Sequence, residues 1–300
     1  MAEPRSAAAP ENAPVLRRRG GTIVPAGTEL LIVVVLLSSG THYGCSRMVD
    51  VSPAPVQRSV EQGRTVFDHG KLDEALSRFV DDRGMVAYVS LQRNRAALDR
   101  YVGQLASASP RSHPELFPTK DHELAYWLNA YNALMLRAVI DHYPVESVTD
   151  IMIAHGVFKR LHFPVGGTNM TLDDVEKGIV LEQFDAARAH FGLTCASMGC
   201  PRLQRRAWRA ENLQTRLDEA GRAFLNSPYG VELDAKRNVV RLTSYFKWYS
   251  DDFGSDHVAF VRRYLNAERQ QVLDSIHEPT IEYIEYDWRL NDAGAAWAAR

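Results

Sequence analysis

The stretch "DHELAYWLNAYNALMLRAVIDHYP", residues 121–144, constrains the fold more than any other part of this chain. Trp127, Tyr131, Leu134 and Ala138 recur at three- and four-residue steps, the spacing of one helix face. Pro144 closes the pattern, because proline lacks the N–H a helix needs and its ring clashes with the preceding turn. The spacing predicts a helix from Asp121 to Tyr143 that buries those four side chains. Hydrophobic residues make up 45% of the 300 residues and charged residues 24%, enough apolar material for a core of ordinary size around such a helix. Asn129 and Asn132 sit one turn apart within it, although asparagine disfavours helix interiors. Buried amides must find partners, so these two either pin a neighbouring loop, the cysteine loop included, or contact a substrate.

The remaining elements are short. "GKLDEALSRFV", "RNRAALDRYVGQLAS" and "AENLQTRLDEAGRAFLN" are amphipathic at helical period, and "MVAYVSL" and "ARAHFGLTC" read as strands. "FPVGGTNM" and "YGVELDAKRNVVRL" read as hairpins, and "TIEYIEYDWRLN" as a strand with an aromatic end. Thr171 opens the helix "TLDDVEKGIV" as N-cap, with Asp174 three residues on. Helices and hairpins do not alternate as βαβ units. The expected class is therefore α+β, a single domain with helices packed on a short antiparallel or mixed sheet.

The first 45 residues follow a different plan. "VLRRRGG" is basic, "LLIVVVLL" is a continuous apolar run, and "SSGTHYGC" is small and polar, the order found in a secretory signal. The apolar run is far short of the ~20 residues that span a bilayer as a helix. Cys45 after Gly44 is a lipidation candidate. The expected division is a signal or lipoprotein signal over 1–45, a flexible tether over 46–59, the folded domain over 60–291 and a loose tail over 292–300. This implies export to the periplasm or a lipoprotein held to the membrane by its N-terminal anchor. The formal net charge of -2 leaves no basic surplus to neutralise phosphates, so nucleic acid is not an expected partner.

"HFGLTCASMGCP" carries the candidate chemistry. Cys195, expected at the end of a buried strand and at the floor of a cleft, is a candidate nucleophile if a neighbour holds it as thiolate. As strand residues five apart, His190 and Cys195 would point to opposite faces, so His155 and His162 join His190 as candidate bases. Glu176 is a candidate orienting carboxylate, and Arg188 a grip for a substrate carboxylate. Cys195 and Cys200 bracket only "ASMG", a gap that a disulfide can close in an exported protein. No second short-spaced pair completes a zinc site, and no nucleotide-binding motif occurs, so neither metal nor cofactor is expected.

Six separate stretches, "AYWLNAYNALMLRAVIDHYPVESV", "LDDVEKGIV", "ARAHFGLTCASMGCPRL", "AENLQTRLDEAGRAFLNSPYGV", "LTSYFKWYSDDF" and "YDWRLN", stand in the order they take in a known family. Across roughly residues 65 to 290 the chain resembles the bacterial family catalogued as domain of unknown function 547. The resemblance implies exported or lipid-anchored proteins and, for the fold, a papain-like or transglutaminase-like arrangement. It carries no agreed reaction. Two functions stay open at this point. One is a thiol-dependent hydrolase or acyl-transfer enzyme acting through Cys195. The other is a noncatalytic envelope module that binds a peptide or small molecule, with Cys195–Cys200 as a structural disulfide.

Overall fold

A computed structural model describes residues 46–152 and 155–296; all of them fall in one compact unit. The expected N-terminal signal and Cys45 lie outside the described residues. In chain order the elements are β1 (Arg47–Met48), the hairpin β2 (Arg58–Glu61) and β3 (Arg64–Phe67), then α1 (Gly70–Phe79), α2 (Tyr88–Arg93), α3 (Ala96–Ser107) and α4 (Lys120–His142). A short α5 (Gly156–Lys159) leads to the hairpin β4 (Leu161–Val165) and β5 (Thr168–Met170), then α6 (Leu172–Val175) and α7 (Ala186–Ala189). The C-terminal half holds α8 (Leu213–Leu225), β6 (Val231–Asp234), β7 (Val239–Leu242), α9 (Tyr245–Trp248), α10 (His257–Arg262), α11 (Ala267–Asp274) and β8 (Thr280–Tyr283).

The class is α+β, with helices set against small sheets of order β1-β4-β5, β2-β3 and β6-β7-β8. The first and last of these are mixed: β1 runs parallel to β4, and β8 parallel to β7. The β4–β5 turn places Gly166 and Gly167 at φ 56 and 84. A Cβ on Gly166 would also collide with Ser109 Oγ, so glycine is needed there twice over.

Helix α4 matches the sequence reading in extent, and Trp127, Tyr131, Leu134 and Ala138 are buried. It goes further than one face, because every residue from Leu124 to Leu136 is buried. Helices α2 and α3 cover one side, with α6 and α8 among its other neighbours, so α4 is a central core helix rather than an amphipathic surface one. No helix among the described residues is long and apolar enough to cross a membrane.

Four expectations are corrected. Residues 46–59 do not hang free as a tether: Arg47 N–H donates to Arg160 O at 2.8 Å, Val49 N–H to His162 O at 2.9 Å and Ala54 N–H to Gly103 O at 2.9 Å. "MVAYVSL" is mostly helical, because Tyr88 and Leu91, one turn apart, both bury on the α1–α4 side, while only Val86 makes strand-like bridges. "ARAHFGLT" forms α7 and a turn instead of a strand. Asp185 caps the helix, and His190, Phe191 and Gly192 donate their N–H groups locally to Ala186, Arg188 and Ala189. Finally, the first residues of the expected tail are fastened: Ala293 N–H donates to Val86 O at 2.9 Å, and Asp292 Oδ2 accepts from the Tyr143 hydroxyl at 2.7 Å.

Candidate ligand-binding site

A concentration of chemically capable side chains surrounds a cavity of about 430 Å³. Six segments build it. Helix α4 contributes Tyr131, and α5 contributes His155, Phe158 and Lys159. The capping box of α6, in which Thr171 Oγ1 accepts from Asp174 N–H at 3.1 Å, sets the start of a helix that carries Asp173, Glu176 and Lys177 to the wall. At Glu176 the helix widens into a π turn, Glu176–Leu181, a distortion that recurs at functional sites. The turn after α7 supplies His190, Leu193 and Cys195, α9 supplies Tyr245, Trp248 and Tyr249, and the strand leaving β8 supplies Tyr286 and Trp288.

Cys195 is disulfide-bonded to Cys200, with their Cα atoms 6.3 Å apart. The Tyr286 hydroxyl lies 3.1 Å from both sulfurs, and Ser197 Oγ lies 3.0 Å from Cys195 Sγ and 2.8 Å from that same hydroxyl. The ring of Tyr286 reaches this position because residue 199 is glycine: a Cβ there would sit 2.9 Å from Tyr286 Cε2. Burial holds the Tyr286 phenol up to about 12, so it remains a donor near the sulfurs at neutral pH.

His190 is 3% exposed, with Nε2 2.7 Å from Asp252 Oδ2 and its ring 4.5 Å from that of Tyr249. The turn that replaced the expected strand brings His190 and Cys195 onto one cavity despite their odd separation. Glu176 Oε1 accepts from the Tyr249 hydroxyl at 2.7 Å. Burial first, and then the Glu176 carboxylate, raise the phenols of Tyr131 and Tyr249, keeping both as hydrogen-bond donors. His155, exposed and at φ 57, packs its ring 5.1 Å from Trp288.

The other candidates lie elsewhere. His162 sits on β4, its Nδ1 3.1 Å from Arg160 O, and does not reach the cavity. Arg188 is not a substrate grip, because it ties α7 to α8 through Asp218 at 3.0 Å and Gln214 at 2.6 Å. Neither asparagine meets the cavity. Asn129 exchanges hydrogen bonds with the backbone of Trp208 at 2.9 and 2.8 Å. Asn132 donates to Gly192 O at 2.9 Å and accepts from Thr194 N–H at 2.8 Å, pinning the chain just before Cys195. The sequence reading missed Tyr245, Trp248, Tyr249, Tyr286, Trp288 and Asp252. The five aromatics had a signal in their spacing, Tyr245, Trp248 and Tyr249 at helical steps and Tyr286 and Trp288 at a strand step, which also fits ordinary core packing, whereas Asp252 had none.

Residues 116–225 match the model of the family described as "Protein of unknown function, DUF547". This segment is a DUF547 domain. No curated protein matches the chain. No solved structure matches it either. The DUF547 segment holds the cavity's floor and its charged wall, including Glu176, His190 and Cys195, whereas the aromatic wall from Tyr245 to Trp288 lies beyond the match.

Proposed function

We propose that this chain is an exported or lipid-anchored envelope protein whose DUF547 domain is a noncatalytic module that binds a peptide or small molecule in the aromatic cavity. The observation that carries this reading is the Cys195–Cys200 disulfide at the cavity wall. A sulfur bonded to sulfur has no thiolate to offer, and the groups beside it are the hydroxyls of Ser197 and Tyr286 rather than a base. A cavity of this size with apolar rings and a few polar groups suits capture of a small ligand or a peptide side chain. The basic, apolar and small-residue order of the first 45 residues supports the export part, and an oxidising compartment is where such a disulfide persists.

The test is direct. Trypsin releases residues 189–202 as one peptide holding both cysteines. From protein purified without reductant, that peptide should be lighter by the two hydrogens lost on oxidation and should resist alkylation until reduced. Recovery of the peptide in its dithiol form would remove the staple. It would favour a second reading, which has its own supporting observation: His190, hydrogen-bonded through Nε2 to Asp252, opens on the same cavity as Cys195. In that reading Cys195 is the nucleophile of an acyl-transfer enzyme, His190 its base and Asp252 the group that orients the base. The export part has a separate check. Protein isolated from its native cell should lack the first 44 residues, and an intact N-terminus would overturn it.

A further inference from the structure

Among the charged groups around the cavity, Glu176 is set apart. Asp173, one turn earlier, is matched by Lys177 at 3.2 Å, and Asp252 is hydrogen-bonded to the His190 ring at 2.7 Å. Glu176 is half-buried, and among the described residues its partners are tyrosine phenols and no lysine or arginine. Phenols can hydrogen-bond a carboxylate but leave its charge uncompensated. Facing the same space is a group of closely packed rings. Trp248 stacks on Trp288 at 5.8 Å, Tyr286 lies 4.9 Å from Trp248 and 4.5 Å from Trp288, and Tyr245 lies 6.0 Å from Tyr286. Trp248 remains 45% exposed although it belongs to this wall, which leaves part of its ring available to a ligand.

Aromatic rings attract cations through the negative potential of their faces, and the attraction grows where water is excluded. One uncompensated carboxylate beside several tryptophan and tyrosine rings is a combination that selects a positive charge with an apolar skin. A neutral sugar would stack on the rings and leave Glu176 unmatched. An anion would meet Glu176 unfavourably. Lys159, exposed at the same cavity, has room for a second, acidic group on the ligand.

We propose that this cavity binds an organic cation of the quaternary ammonium class, seated between Glu176 and the wall formed by Trp248, Tyr286 and Trp288. This rests on the binding-module reading and names its ligand. The experiment is calorimetric titration of the full chain with tetramethylammonium, with choline, with the neutral carbon isostere 3,3-dimethylbutan-1-ol and with a soluble glucosamine oligomer, at matched ionic strength. Choline should bind at least about tenfold more tightly than its neutral isostere. Glu176→Gln should erase that preference, and Trp248→Ala should weaken both cations about tenfold. The exposed position of Trp248 keeps the second variant folded, and an unchanged melting midpoint verifies it. Equal binding of choline and its isostere, with Glu176→Gln silent, overturns the cation assignment and leaves the binding module standing. Binding of the glucosamine oligomer alone does the same and reassigns the ligand. No cation binding by a protein whose Cys195–Cys200 bond is verified overturns the assignment on its own, while a dithiol peptide in the mapping experiment overturns the module independently.

Discussion

Two hydrogens converge on one nitrogen of His69: the Tyr101 hydroxyl is 2.7 Å from Nδ1 and the Asn129 amide nitrogen 3.2 Å. Both can donate to Nδ1 only if that atom carries no proton. The imidazole is therefore held neutral with its hydrogen on Nε2. Burial, with the nearby Arg209 and His122 adding to it, lowers its pKa to about 3. A folded-state pKa below the unfolded value of ~6.5 means that the unfolded chain takes up the proton first. Stability from this residue is thus complete above pH ~6.5 and lost as pH falls from there towards 3, by a few kcal/mol in all. Urea midpoints measured from pH 7 to pH 4 should fall, and His69→Gln should flatten that decline; an equally steep decline in the variant would assign the acid sensitivity elsewhere. At this scale the sequence was partly legible. Two asparagines on a helix already demanded partners, but which backbone they would hold was invisible, since Trp208 and Gly192 lie 79 and 60 residues away from them. His69 gave no signal, because its environment is assembled from three separate helices and loops.

At the scale of elements, α4 shows what periodicity can and cannot reveal. Its extent followed from apolar spacing and Pro144, yet the pattern implied one buried face where the whole circumference is covered. Alanines at 125, 130, 133 and 138 are what allow neighbouring helices to close in on every side. Trp127→Ala should cost ~3–5 kcal/mol, a melting midpoint lower by on the order of 10 °C. An unchanged midpoint would show that the indole is dispensable to the core. The turn after α7 was misread because "FGLT" alternates like a strand, while Asp185, the cap that makes it helical, precedes the quoted run. The cysteine loop that follows holds Ala196 at φ 63, a conformation that costs an L-residue energy and needs external support. The disulfide and the Asn132 contacts are that support. Replacing Cys195 and Cys200 together by serine should lower stability by about 2 kcal/mol on the loop-entropy account of a six-residue ring, read as a fall in the denaturant midpoint with unchanged slope. No change in the midpoint would mean that the loop is held by Asn132 and Tyr286 alone.

Across the whole molecule the C-terminal strand does the joining. Leu290 N–H donates to Glu146 O at 2.8 Å, Asn291 N–H to Ala196 O at 2.9 Å, and Val86 N–H to Asn291 O at 2.8 Å. One extended segment thus ties the loop after α4, the cysteine loop and the start of α2 together. Ending the chain after Glu285 should remove those ties along with Tyr286 and Trp288. The expected result is loss of the cooperative melting transition, and a truncated protein that melts like the full chain would contradict it. Long-range ties of this kind leave no period or motif in a sequence, which is why the ordered residues 292–296 read as loose.

The order in which the ribosome delivers these parts has a consequence for how the site matures. Cys195 and Cys200 are near neighbours and can meet as soon as both have emerged, whereas Tyr286, whose hydroxyl lies against their sulfurs, arrives 91 residues after Cys195. During synthesis the cysteine pair is therefore open to whatever oxidant or reductant it meets, and only the last stretch of chain lays Tyr286 against its sulfurs. The disulfide can thus form before the wall that will stand over it has been made.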